Sequence, residues 1–188
     1  MRLYLIRHPQ PVVPPGLCYG QTDLLPRAPW DAELKQVRSR LPPALTIHSS
    51  PLQRCREFAA ALATDVHIDE RLSELDFGAW EMLPWAEVPR SELDGWAADP
   101  IGYAGDGGES VAMMQVRVAS ALADLPVQDC AWVTHAGVMK LVLAQLLGLA
   151  QAEWLEMKFA YASVSCLEIN PDGAKLMWRS DVDDALSL

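Results

Sequence analysis

The sequence predicts an α/β fold: a three-layer α/β/α domain with a largely parallel central sheet and a small irregular cap insert. Short apolar, β-rich runs alternate along the chain with helical patterns, and this alternation is typical of parallel sheets covered by helices. Of the 188 residues, 51% are apolar, enough for a sizeable core. The chain has neither an internal repeat nor an evident linker. We therefore expect residues 1–188 to form one domain, with residues 76–108 as the cap insert.

The first part of the chain predicts a strand, a long loop and a helix. Residues 2–6 are rich in β-forming side chains, and prolines recur through residues 9–29. Because proline fits neither a helix interior nor a central strand, we expect an ordered loop over residues 9–29. Apolar residues then recur at helical spacing from Trp30 to Leu41, and Pro42 ends this helix.

The rest of the chain predicts alternating strands and helices. Strands are expected at residues 44–48, 66–68, 130–134, 164–169 and 176–179. Helices are expected at residues 52–63, 110–125 and 137–148. The cap insert is rich in Trp, Pro and Gly, and Asn-Pro-Asp-Gly at residues 170–173 is a turn between the last two strands.

The composition argues against several classes of function. The net charge of −10, from 25 acidic and 15 basic residues, disfavours nucleic-acid and membrane-surface binding, which both need basic patches. The four cysteines form no C-x-x-C pair and predict neither a zinc finger nor a disulfide framework. Since the chain shows no signal-peptide pattern and no apolar run of about 18 residues, we expect a cytoplasmic protein. The sequence leaves a homo-oligomer open: Trp85 or Trp96 in the insert could contact a partner, cover the substrate or pack internally.

Polar residues follow the predicted strands at the points where each strand ends. They are Arg7 and His8 after the first strand, Arg54 in the helix after the second, Glu74 after the third and His135 after the fourth. Ligands of open α/β sheets bind outside the carboxyl ends of the strands. We therefore expect these side chains to meet at one edge of the sheet.

This set of residues suits phosphoryl transfer through a covalent phosphohistidine. A neutral imidazole attacks phosphorus, and each guanidinium binds two phosphate oxygens in a planar fork. Arg54 at a helix N-terminus opposes the helix dipole, so a bound anion would explain its position. A glutamate first protonates the leaving alcohol and then deprotonates water. The competing interpretation is a zinc site of His8, His135 and Glu74, but the two arginines would repel a divalent cation. We expect no metal and no cofactor.

Five motifs occur in the order and approximate spacing of one known family. They are LIRHP, SSPLQR, LSELDFGAWE, GGES and VTHAGV. On these residues the chain resembles the histidine phosphatase superfamily, which includes cofactor-dependent phosphoglycerate mutases and many small phosphatases. The resemblance implies His8 as the phosphorylated nucleophile and Glu74 as the proton donor. It implies phosphate-ligand roles for Arg7, Arg54 and His135, and a metal-independent phosphomonoesterase acting on a small phosphorylated substrate.

Two segments resemble a particular subgroup, that of alpha-ribazole phosphatase, which removes a 5′-phosphate late in cobalamin nucleotide-loop assembly. They are LCYGQTDLLP at residues 17–26 and ELDFGAWE at residues 74–81. This resemblance makes alpha-ribazole 5′-phosphate the first substrate candidate, and Gln21 and Thr22 candidate substrate contacts; Glu81 is a weaker one. The alternatives are a broad-specificity phosphatase, a phosphoglycerate mutase-like enzyme, and a catalytically weak module of the same fold that binds a phosphorylated ligand.

The chain departs from the family pattern in three places. Pro9 stands where relatives usually have glycine, residues 10–14 lack an asparagine that often helps hold the phosphate, and Phe58 replaces a polar residue. Proline fixes φ and removes a backbone N–H, so we expect the phosphate pocket to be reshaped near Pro9. These departures bear on rate and substrate rather than on reaction type. In the GGES motif we expect Ser110 to cap the following helix.

Overall fold

The computed structural model describes residues 1–180 and consists of a six-stranded sheet with helices on both faces. The strands are β1 (Arg2–Arg7), β2 (Thr46–Ser49), β3 (Val66–Ile68), β4 (Cys130–Thr134), β5 (Val164–Asn170) and β6 (Gly173–Arg179). The α-helices are α1 (Asp31–Arg38), α2 (Gln53–Leu62), α3 (Arg90–Ala98), α4 (Val111–Ala123), α5 (Ala136–Leu147) and α6 (Gln151–Glu156). The predicted three-layer α/β fold is confirmed. Within residues 1–180, no helix is both long and apolar enough to span a membrane.

The strand order β3-β2-β4-β1-β5-β6 places three parallel pairings side by side. Arg7 of β1 lies opposite Thr134 of β4, and Ser49 of β2 lies opposite Val133. The carboxyl ends of β1, β2 and β4 therefore lie at one edge of the sheet. β5 runs antiparallel to β1, with Val164 opposite Ile6, so the segment before β5 reaches that same edge.

Alternate residues of β1 enter two separate cores. Leu3 and Leu5 pack with α4 and α5, while Tyr4 and Ile6 pack with α1 and α2 on the opposite face. All four side chains are buried, as expected for a central strand covered on both faces. This double burial holds the end of β1, and the residues that follow it, in a fixed position.

Element boundaries differ from the sequence prediction in a few places. β6 begins at Gly173 instead of residue 176, because Asn170 and Gly173 already pair in the hairpin. The first helix is shorter than predicted and ends at Arg38. Helices α3 and α6 were not predicted: α3 has no buried residue and α6 spans only 6 residues, so neither leaves a clear apolar period.

The predicted loop over residues 9–29 is observed, and it closes on itself. Pro11 and Pro26 form an antiparallel bridge, and the Val12 N–H donates to the carbonyl of Leu25 at 2.8 Å. This segment returns towards the sheet edge with residues 17–22, which carry the predicted substrate contacts.

The segment 76–108 holds an aromatic cluster that packs mostly against itself. Its members are Phe77, Trp80, Trp85, Trp96 and Tyr103. The Trp80 indole N–H and the Tyr103 hydroxyl both donate to Glu92, at 3.0 and 3.1 Å. Trp96 is stacked on Trp85 inside this cluster. Whether Trp85, 37% exposed, contacts a second copy stays a prediction.

Candidate active site

The predicted residues do meet at the carboxyl edge of the sheet. His8 follows β1, Arg54 lies in the first turn of α2, and His135 directly precedes α5. The rings of His8 and His135 are 5.0 Å apart between centroids. All three side chains are almost fully buried, with exposed fractions of 2% for His8 and 0% for Arg54 and His135.

The His8 ring is held in one tautomer by its own neighbour. Its Nδ1 lies 2.7 Å from the carbonyl oxygen of Pro9. Because a carbonyl can only accept a hydrogen bond, Nδ1 carries the proton when the ring is neutral. The lone pair of the ring is then on Nε2, which is the nucleophilic nitrogen.

Both buried histidines are kept neutral. Burial, followed by the positive charges of Arg54 and Arg7, holds the pKa of His8 well below its ordinary value, although the Pro9 carbonyl acts in the opposite direction. Burial and the charge of Arg54 also hold the pKa of His135 well below its ordinary value. A neutral imidazole is the form that attacks phosphorus, so the surroundings of His8 favour a nucleophile.

Two guanidinium groups flank the histidines, and in each of them the Nε–H group is buried without a partner among residues 1–180. Arg7 donates to the carbonyl of Phe159 at 2.6 Å, and Arg54 donates to the carbonyls of Gly20 and, at 2.8 Å, Thr22. Buried donors are nearly always satisfied, and an anionic oxygen is the acceptor that suits a guanidinium best.

Glu74 reaches the same edge and rests against the N-terminus of α5. Its carboxylate accepts from the backbone N–H of Leu75 at 3.0 Å and of Gly137 at 3.2 Å. A Cβ at position 137 would lie 2.1 Å from Glu74 Oε1. Only glycine at position 137 permits this close approach, so the local sequence Ala-Gly-Val is matched to the position of Glu74.

The predicted substrate contacts Gln21 and Thr22 lie in this region, on a loop that is held in place by hydrogen bonds to Glu74 and Glu81. The Gln21 side chain donates to the Glu74 carbonyl at 3.0 Å. Glu81 accepts from the backbone N–H groups of Gln21 and Thr22, at 2.6 and 2.5 Å, and from the Thr22 hydroxyl. Contact of Gln21 or Thr22 with a substrate stays a prediction.

Glu81 remains charged in this setting. Burial alone would raise the pKa of Glu81, but the hydrogen bonds from Thr22, Gln21 and Phe77 outweigh it and hold the pKa below its usual range. The same loop supplies the Gly20 and Thr22 carbonyls that bind Arg54. Glu81 is therefore connected to Arg54 through the backbone of residues 20–22.

Sequence reasoning missed several side chains at the site. The Tyr161 ring covers the Arg7 guanidinium, 3.9 Å from its carbon, and the Tyr161 hydroxyl lies 2.9 Å from that of Tyr19. Ser50 Oγ lies 2.8 Å from His135 Nε2. Tyr161 reaches the site because β5 is antiparallel, and no residue pattern near position 161 signals this.

A metal site is the alternative that the sequence left open. Within residues 1–180 no three His, Cys, Asp or Glu side chains are grouped so as to hold a metal ion. His135 instead contacts Ser50 and, at 3.4 Å, the sulfur of Cys55. Burial raises the pKa of the Cys55 thiol, which disfavours the thiolate that would ligate a metal.

Comparison with known proteins gives a match over nearly the whole chain. Residues 3–182 match a family model described as "Histidine phosphatase superfamily (branch 1)". A protein of Hydrogenobacter thermophilus named "Putative phosphoserine phosphatase 2" is 28% identical over 190 aligned positions, which cover 93% of this chain and 91% of that protein.

Solved structures give the same result at the level of the fold. The crystal structure of the alpha-ribazole phosphatase from Shigella flexneri superposes with a TM-score of 0.82 at 26% identity, and the match covers 94% of each chain. The mycobacterial glucosyl-3-phosphoglycerate phosphatase superposes with a TM-score of 0.76, also at 26% identity, covering 93% of this chain and 96% of that one. These similar proteins are named for different phosphate esters.

Proposed function

The chain belongs to the histidine phosphatase superfamily, and we propose that it is a phosphomonoesterase that hydrolyses a small phosphate ester through a phosphohistidine at His8. The observation that carries this proposal is the state of His8: a buried, neutral ring with Nδ1 bonded to the Pro9 carbonyl. The Nε–H groups of Arg7 and Arg54, which have no partner within residues 1–180, lie in the same site. One site thus holds a nitrogen that can attack phosphorus and two N–H groups that can bind an anionic oxygen.

In the first step, His8 Nε2 attacks the phosphorus atom of the ester. The new bond is N–P, and the bond that breaks joins phosphorus to the ester oxygen. Arg7 and Arg54 bind the non-bridging oxygens as charge moves onto them, with His135 beside them as a further phosphate ligand. Glu74 donates a proton to the departing oxygen, so the product leaves as a neutral alcohol.

In the second step, water attacks the phosphohistidine. Glu74, now a carboxylate, accepts a proton from the water as its oxygen bonds to phosphorus. The N–P bond breaks, the electron pair returns to His8 Nε2, and phosphate leaves. Because one carboxyl group serves as acid and then as base, Glu74 returns to its starting state after each turnover.

Alpha-ribazole 5′-phosphate is our first candidate substrate. This choice is supported by the resemblance of residues 17–26 and 74–81 to the alpha-ribazole phosphatase subgroup and by the superposition with the Shigella flexneri enzyme. The names of the other similar proteins make phosphoserine and glucosyl-3-phosphoglycerate the competing esters. A broad-specificity phosphatase acting on several of them is the main alternative.

A catalytically weak binding module is the second alternative, and Glu74 argues against it. A module that only binds a phosphorylated ligand needs the arginines but has no use for a carboxyl group on the leaving-group side. Gly137 leaves room for the Glu74 carboxylate and donates to it. We therefore favour turnover over binding.

The test is steady-state hydrolysis by the full chain in the presence of a chelator. The panel comprises alpha-ribazole 5′-phosphate, phosphoserine, glucosyl-3-phosphoglycerate and 4-nitrophenyl phosphate. We expect turnover that the chelator leaves unchanged and that His8→Ala abolishes. His67→Ala, which alters an exposed histidine of β3, is the matched control and should retain full activity.

Each outcome has a defined meaning. A kcat/KM at least about tenfold higher for alpha-ribazole 5′-phosphate, equivalent to about 1.4 kcal/mol of transition-state binding, supports the specific assignment. Equal values across the panel would support the broad-specificity alternative. Turnover that disappears with the chelator contradicts the metal-independent mechanism, and tight phosphate binding without turnover would favour the binding module.

A further inference from the structure

One partly buried ion pair outside the reacting groups is bonded directly to the segment that carries Glu74. Arg117 of α4 forms a two-fold salt bridge with Glu109, through Nε at 2.7 Å and one terminal nitrogen at 2.8 Å. The two side chains are only 18% and 13% exposed. Glu109 belongs to the GGES motif, in which Ser110 caps α4 as expected.

Every N–H of the Arg117 guanidinium has an acceptor. Besides the two bonds to Glu109, Arg117 donates to three backbone carbonyls: Arg71 at 2.8 Å, Ser73 at 2.7 Å and Glu74 at 3.0 Å. A guanidinium has five N–H groups, and all five are used here. Arg117 therefore has no N–H left for a further ligand: three of its N–H groups bind the segment that carries Glu74, and the other two bind Glu109.

The segment is bonded on both sides of Glu74. Arg117 binds the carbonyls up to and including that of Glu74, and the Glu109 N–H donates to the carbonyl of Asp76 at 2.8 Å. The Glu74 side chain then needs only its own few torsions to place the carboxylate against the Gly137 N–H. A shift of the backbone at residue 74 moves this carboxylate directly.

We propose that Arg117 and Glu109 are positioning residues for the proton donor Glu74. This inference rests on the proposed function, because it requires Glu74 to protonate the leaving group. Arg117 holds the backbone in place, and Glu109 keeps the guanidinium oriented so that its remaining N–H groups face the carbonyls. A displacement of about 1 Å is enough to impair a catalytic group, so loss of this pair should slow the step that needs the acid.

The test compares two leaving groups with the full chain. In Arg117→Lys the charge stays, but an ammonium with three N–H groups cannot serve five acceptors. We measure kcat/KM, which reports the first chemical step, for an alkyl phosphate and for 4-nitrophenyl phosphate, whose leaving group needs little protonation. We expect a loss of about 30-fold for the alkyl ester and less than about threefold for the nitrophenyl ester, since general-acid catalysis contributes about 100-fold or more.

Matched variants separate positioning from general damage. Arg90→Lys changes an arginine in an exposed pair with Asp94 and should change neither value. Glu109→Gln keeps the shape of the side chain at position 109 but removes its charge. If Arg117→Lys does not fold, Glu109→Gln should show the same loss of kcat/KM for the alkyl ester alone. In a Glu74→Gln background, Arg117→Lys should have no further effect, because residues acting through one group are not additive.

The failures of the two proposals are distinguishable. If the unaltered protein hydrolyses neither ester, the proposed function is wrong. If it hydrolyses both, but Arg117→Lys and Glu109→Gln lower both values equally or leave both unchanged, the proposed function stands and the positioning role is overturned.

Discussion

A methyl group at position 137 would displace the carboxylate of Glu74. The added Cβ would lie 2.1 Å from Glu74 Oε1, whereas real Cβ atoms essentially never come closer than 3.0 Å to another heavy atom. The carboxylate must therefore move by about 1 Å, a displacement that can cost about 100-fold in rate. This factor corresponds to about 2.7 kcal/mol of transition-state stabilisation. We expect Gly137→Ala to lower kcat/KM for an alkyl phosphate by about this amount.

The same substitution should leave the protein folded. The nearest atom is the end of a flexible side chain, and alanine favours a helix over glycine by about 1 kcal/mol. We therefore expect an unchanged or higher midpoint of thermal unfolding for Gly137→Ala. The assay is kcat/KM for the alkyl ester and for 4-nitrophenyl phosphate, in both the natural and the Glu74→Gln background.

The effect of Gly137→Ala should be nearly absent for the nitrophenyl ester and in the Glu74→Gln background, because the methyl group acts through the carboxylate. An unchanged rate on the alkyl ester would refute the placement of Glu74 as the acid. An equal loss for both esters would show that position 137 affects the phosphate site instead.

The buried histidines, the Glu81 carboxylate and the Phe58 ring give three further predictions. The pKa values of His8 and His135 lie well below 6.5 in the folded state, so below pH 6.5 the unfolded chain binds more protons. As the pH is lowered below 6.5, the free energy of unfolding should therefore fall by up to about 1.4 kcal/mol per pH unit for each histidine. Urea titrations at several pH values measure this slope. An equal slope in His8→Gln would contradict the contribution of His8 to it. Glu81→Gln should lower kcat/KM about 10-fold by loosening the carbonyls that hold Arg54, since a hydrogen bond to a charged group contributes about 1.5–3 kcal/mol; unchanged kinetics would contradict this link. Phe58→Ala removes a fully buried ring and should lower the free energy of unfolding by about 3–5 kcal/mol, and a loss below about 1 kcal/mol in a denaturant titration would contradict its place in the core.

The convergence of the site residues could be predicted because it depends on strand direction. Arg7 ends β1, and His8, Arg54 and His135 lie after strands that run parallel in one sheet. Their common edge therefore follows from the alternation of strands and helices. Glu74 reaches that edge through the connection after β3. The roles assigned to these residues stay predictions until activity is measured.

Other parts of the site could not be predicted, because they depend on bonds between side chains and distant backbone. The Arg117 guanidinium binds carbonyls more than forty positions away, and such contacts leave no period in the sequence. Tyr161 reaches His8 only because β5 turns antiparallel. No sequence pattern indicates that the Glu81 carboxylate binds residues 21 and 22. The same loop supplies the carbonyls that bind Arg54.

Pro9 stands where relatives usually have glycine, and the structure shows which backbone group the site uses at this position. Proline removes a backbone N–H, but the bond at this position uses the Pro9 carbonyl, which accepts from His8 Nδ1. Any residue provides that carbonyl, so proline in place of glycine leaves the orientation of the His8 ring intact. We therefore expect Pro9 to affect the shape of the pocket rather than the reaction.

Detection of phosphohistidine at His8 tests the central claim most directly. In Glu74→Gln, 4-nitrophenyl phosphate should still phosphorylate the enzyme, because nitrophenolate needs little protonation, while attack of water on the intermediate is slowed. We expect an acid-labile, base-stable phosphoryl group that mass spectrometry maps to His8, that persists with His67→Ala and that is absent with His8→Ala. Turnover without this group, or the same group in His8→Ala, would contradict the account.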